Sequence, residues 1–106
     1  MSGSRDFKGE SGAVYRYLHV EQEAATPLGA GNFLYVRADE EKPVIVYAGE
    51  GERLTTAIGA RWREAAEKHG ATQIFARRNV SAGIRREELA DLMQAHAPVM
   101  NASDPG

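Results

Sequence analysis

Cysteine is absent from the 106 residues, which excludes disulfide frameworks, thiolate zinc sites and cysteine nucleophiles and fits an intracellular setting. Histidine is scarce, and His19, His69 and His96 share no ligand-like spacing, so a histidine-built metal site is not expected. No apolar run approaches the roughly 20 residues that span a bilayer. The polar opening MSGSRDFKGESG lacks the apolar core of a secretory signal. A cytoplasmic protein with no membrane partner is therefore expected. Two common catalytic patterns are also missing. Gly49-Glu50-Gly51 has no third glycine and no Gly-Lys-Ser/Thr ending, and Glu50 and Glu52 would repel a phosphate. No serine stands in a nucleophile-elbow pattern.

What is present, 42% hydrophobic and 26% charged residues, suits one small domain with a modest core. The net charge of -2 conceals a strong polarity along the chain. Residues 1–52 carry five basic and nine acidic side chains, whereas residues 53–86 carry Arg53, Arg61, Arg63, Lys68, Arg77, Arg78, Arg85 and Arg86 against Glu64 and Glu67, a net of +6. The remaining residues return to -4. An arginine-dominated segment matches phosphate oxygens through its forked donors and marks a candidate nucleic-acid surface. The competing reading is a solvated face with local ion pairs.

Residues 1–12, rich in glycine and serine, read as a flexible tail, residues 13–101 as the domain and residues 102–106 as a second tail. The run AVYRYLHV at 13–20 reads as a strand. FLYVR at 33–37 and VIVYA at 44–48 read as an antiparallel hairpin joined by the charged, proline-containing ADEEKP. Leu54, Ile58, Trp62 and Ala65 or Ala66 recur at helical spacing up to His69, with Gly59 as a candidate break and Gly70 as a stop. TQIFARRNV at 72–80 reads as a central strand. Ser81 is placed to cap a last helix from about Ala82 to Ala97, where Pro98 ends it. On that helix Leu89, Leu92, Met93 and His96 form the apolar stripe, and Glu88 lies at its flank. The order β, β, β, α, β, α predicts an α+β domain: a small antiparallel or mixed sheet, the hairpin plus a central strand, flanked by helices.

Several of these residues carry a resemblance. Tyr35 in FLYVR, Asp39 four residues on, VIVYAG with Tyr47 and Gly49, and Leu54 resemble the paired tyrosine motifs of the GIY-YIG nuclease superfamily. Leu92, Pro98 and Asn101 in DLMQAHAPVMN resemble that family's closing pattern. The resemblance covers about residues 31–101. It implies hydrolysis of a DNA phosphodiester by tyrosines, an arginine on the first helix after the hairpin and a glutamate metal ligand on the final helix, with Gly49, Pro98 and Asn101 in structural positions.

The chain departs from that pattern where chemistry would occur. The arginine position is Ala57, with Arg61 one helical turn further on, and the carboxylate position is Leu89, with Glu88 beside it. Phe33 and Leu34 replace the residues before the first tyrosine, and the hairpin is about one residue longer. Two readings of Arg61 and Glu88 stand: shifted catalytic groups, or surface residues. Tyr35 and Tyr47 likewise read as catalytic or as sheet-filling aromatics. The expectation is thus a degenerate GIY-YIG-type domain that binds nucleic acid, DNA by resemblance, through Arg53, Arg61, Arg63, Arg77, Arg78, Arg85 and Arg86. It has weak or no nuclease activity and no cofactor. The alternatives are a magnesium-dependent endonuclease using Tyr35, Tyr47, Arg61 and Glu88, with Glu88 as metal ligand, and a protein-interaction module.

Overall fold

A computed structural model describes residues 3–20, 29–39 and 42–103. Its strands are β1 (Ser4–Lys8), β2 (Val14–Val20), β3 (Gly31–Arg37), β4 (Val44–Gly51) and β5 (Gln73–Arg78). Its helices are α1 (Leu54–Ala57), α2 (Trp62–His69), α3 (Ala82–His96) and α4 (Val99–Ser103). The strands form one sheet in the order β1-β2-β5-β3-β4, antiparallel at every pairing. The molecule is an α+β domain. No helix among the described residues is long and apolar enough to cross a membrane.

Burial follows position in the sheet. From Gly31 to Val36 every residue of β3 is buried, as expected of a strand that carries partners on both edges and layers on both faces. Phe33 and Tyr35 point to a core built with Leu54, Ile58, Ala65 and Met100, under α1, α2 and α4. Leu34 and Val36 point the other way, to a core with Phe7, Tyr17, Phe75 and Leu92, under α3. Leu34 and Leu54 are fully buried, so truncating either to alanine would cost about 2–5 kcal/mol.

A bulge sets the facing of β4. Tyr35 pairs with Tyr47 but Val36 pairs with Ile45, so Val46 is supernumerary. Val46 and Tyr47 consequently join the same core, while Ile45 and Ala48 join the opposite one.

The helix boundaries follow local chemistry. Residues 58–61 interrupt the helical run around Gly59, separating α1 from α2. Gly70 ends α2 in the left-handed conformation (φ 72°), which lets the following Ala71 N–H donate to the Ala65 carbonyl at 3.1 Å. The Ser81 hydroxyl accepts from the Ile84 N–H to cap α3. At the other end of α3, Ala97 adopts φ 43° immediately before Pro98.

Two boundary expectations are corrected. Ser4–Lys8, assigned to the flexible tail, is strand β1, and its Phe7 is 3% exposed in the core beside Tyr17 and Phe75. One inward phenylalanine and a full ladder to β2 order the segment despite its glycines and serines. At the other end, chain order continues past residue 101, because α4 includes Ala102 and Ser103. The remainder of that tail, 104–106, lies outside the described residues, as do residues 1 and 2.

Candidate active site and basic surface

Tyr35 and Tyr47 meet as expected for the hairpin, with ring centroids 5.5 Å apart and planes 30° from parallel. Phe33 completes the aromatic group, 5.3 Å from Tyr35 and 5.8 Å from Tyr47. Its ring explains Gly49: a Cβ at that position would come within 2.5 Å of Phe33. Trp62 packs edge-on to Tyr35 at 5.4 Å.

The hydroxyl of Tyr35 is committed to structure. It donates to the Ile58 carbonyl (2.8 Å) and accepts from the Arg61 N–H (3.2 Å), bridging the turn between α1 and α2. The residue is fully buried. Burial pushes its pKa up, with Tyr47 adding to that rise and the Arg61 N–H and guanidinium opposing it. The phenol therefore stays neutral and out of reach of solvent.

Arg61 does come to the tyrosines, by a route other than helix continuity. It is the residue preceding α2, and the Tyr35 bridge fixes its backbone. Its guanidinium lies 5.0 Å above the Tyr47 ring. It also donates to Glu64, from Nε at 3.1 Å and from Nη2 at 2.9 and 3.1 Å. Glu64 thus already pairs with the cation that lies over Tyr47, a forked pairing that the sequence reading missed. The i,i+3 spacing was its only signal. Ala57 ends α1, with its Cβ placed where any side chain on Gly51 would collide.

Glu88 is not part of this group. Its carboxylate accepts from Arg77 Nε at 3.0 Å and from Asn79 Nδ2 at 3.2 Å. Arg77 in turn donates to the Arg16 carbonyl and lies over the Tyr15 ring at 5.7 Å. Alternation along β5 puts Ala76 in the core shared with Tyr35 and Phe75 in the core under α3, so Arg77 and Glu88 sit on the α3 side. The sheet therefore separates Glu88 from Tyr35 and Tyr47. Leu89, at the carboxylate position, packs against the core under α3. A magnesium site joining the tyrosines to the final helix does not fit these residues. Among the described residues no three histidine, cysteine, aspartate or glutamate side chains converge as a cation site.

The arginines divide into three kinds. Arg85 is 4% exposed and donates to the Asn79 and Val80 carbonyls, with its backbone carbonyl held by Asn32. It is part of the interior, which corrects its assignment to a binding surface. Arg61, Arg63 and Arg77 make the close ion pairs, to Glu64 at 2.9 Å, Glu67 at 3.2 Å and Glu88 at 3.0 Å. Arg53, Arg78 and Arg86 are exposed and gather at one end of the sheet. Arg78 pairs with Gly31, Gly31 with Gly51, and Arg53 follows two residues later. Arg86 Nε stands 3.8 Å from Glu50 at the same end.

Asn101 and Pro98 hold structural positions. Pro98 is buried, and the Asn101 amide brackets Ala48, accepting from its N–H at 2.8 Å and donating to its carbonyl at 2.9 Å. Comparison with family models, curated proteins and solved structures returned no match to this chain.

Proposed function

We propose that this chain is a non-catalytic nucleic-acid-binding domain, a degenerate relative of the GIY-YIG nucleases, that contacts phosphates through Arg53, Arg78 and Arg86. The observation that carries the reading is the position of Glu88 across the sheet from Tyr47, engaged with Arg77 and Asn79. A hydroxyl held by Ile58 and Arg61, and a cation held by Glu64, support the loss of phosphodiester chemistry in the same way. The exposed arginines at one sheet end supply the phosphate contacts. Glu50 and Glu52 nearby keep the surface from acting as a strong non-specific polyanion trap.

The test is binding of single-stranded and duplex DNA across a salt series, with a parallel cleavage assay in magnesium and manganese. Binding that weakens steeply with salt is expected, and Arg53→Gln/Arg78→Gln/Arg86→Gln should flatten the log–log slope by roughly two to three. Absence of binding at low ionic strength would sink the reading. So would metal-dependent cleavage that disappears in Glu64→Gln or Glu88→Ala.

A further inference from the structure

A second site lies on the opposite face of the sheet from the tyrosines and does not depend on the nucleic-acid reading. His19 of β2 pairs directly with Phe75 of β5, and their rings stand 5.4 Å apart at 56°. On β1, Arg5 shares the face of Phe7 by the period of two, as Gln73 on β5 shares that of Phe75. These side chains converge at the sheet end where β5 begins. With Asp39 and Pro43 they line a cleft of about 380 Å³, within the roughly 300–1,000 Å³ common for small-ligand sites. None of its described lining residues comes from α3, which covers the rest of this face.

The lining has a definite chemistry. Among the described residues the side chains of Arg5, His19 and Gln73 make no hydrogen bond or ion pair with the protein, so a forked cation, an imidazole and an amide are available together. His19 and Phe75, tilted 56° to each other, supply an aromatic wall on which a ring can lie against one of the two faces. The forked guanidinium of Arg5 is the cation that an anionic group in the cleft would meet. We propose that this cleft binds a small organic anion, a carboxylate or phosphate attached to a flat unsaturated ring, with the anionic group on Arg5 and the ring against His19.

Amide spectra of the full chain, titrated with benzoate, phenyl phosphate and inorganic phosphate, test this. Saturable shifts confined to the His19, Gln73 and Phe75 region are expected with the ring-bearing anions at about millimolar affinity. Arg5→Gln should weaken them roughly tenfold or more, and His19→Ser should also weaken them while leaving Arg5 in place. Both positions are solvent-accessible, so the unshifted remainder of each variant's spectrum reports its fold. A response to benzoate alone assigns a carboxylate, and one to phenyl phosphate alone a phosphate ester. No saturable shift at about 10 mM of either, an undiminished response in Arg5→Gln, or equal shifts with inorganic phosphate would overturn the proposal.

Discussion

Asn101 holds both backbone groups of Ala48, the N–H at 2.8 Å and the carbonyl at 2.9 Å. In an antiparallel pair, such outward-pointing groups belong to a residue that exchanges no bonds with its neighbour, here Leu34. The side-chain amide thus acts as a one-residue substitute for a sixth strand on the β4 edge. It also anchors α4, whose Met100 is fully buried.

Asn101→Ala leaves the Ala48 donor and acceptor without their partner and should lower unfolding free energy by about 1–3 kcal/mol in urea titrations. Asn101→Asp retains the acceptor and loses the donor, and places a negative charge against the Ala48 carbonyl. It should destabilise the domain at neutral pH and recover part of the loss in acid, where the carboxyl group becomes a donor.

Asp91 ties α3 to the turn between β1 and β2. It accepts from the Ser11 N–H (2.8 Å), the Ser11 hydroxyl (2.7 Å) and the Tyr15 hydroxyl (2.7 Å). The Ser11 hydroxyl chiefly, then Tyr15, holds the Asp91 carboxyl below its ordinary value of 3.8. Because the folded-state value is depressed, the stabilisation is full above the unfolded pKa and is lost as pH falls below about 4. Asp91→Asn should therefore flatten the acid limb of a stability–pH curve. The same bond raises the Tyr15 phenol above 10.0, so its contribution fades only as pH climbs beyond that value. A wild-type acid limb identical to that of Asp91→Asn would contradict this account.

Two ion pairs of similar length offer a controlled comparison. Arg77 and Glu88 meet at 3.0 Å with side chains 32% and 15% exposed, whereas Arg63 and Glu67 meet at 3.2 Å with 92% and 68% exposed. Double-mutant cycles to alanine should give a coupling of about 0.5–2 kcal/mol for the first pair and about 0–0.5 kcal/mol for the second. Only the second should vanish on adding salt.

Local signals were legible wherever one residue decided the backbone. Gly59 and Gly70 marked the interruption and end of the helical run, Ser81 the start of α3, and ADEEKP the hairpin connection. The edge strand β1 was not legible, because a single inward phenylalanine gives no periodicity in a five-residue run. Nor was the layer occupied by α3. An apolar stripe of Leu89, Leu92 and Met93 says that a helix is covered, not which side of a sheet covers it, and that choice puts Glu88 beside Arg77. Arg85 was misread because composition treats arginine as surface, while here carbonyl oxygens of the β5–α3 loop receive its guanidinium. The aromatic group of Phe33, Tyr35 and Tyr47 was half legible: strand alternation and pairing brought the rings together, but the turn that claims the Tyr35 hydroxyl is tertiary.

The supernumerary Val46 makes the hairpin unequal in its tolerance of length change. Excising it would restore unbroken alternation, leaving Ile45 and Ala48 toward α3 and Tyr47 toward α2, at the loss of one buried isopropyl group. Without the local kink, the surplus residue would instead exchange the layers of Val44 and Ile45. The strand thus confines an odd residue count to one position, and the aromatic pairing keeps its phase although the chain around it does not.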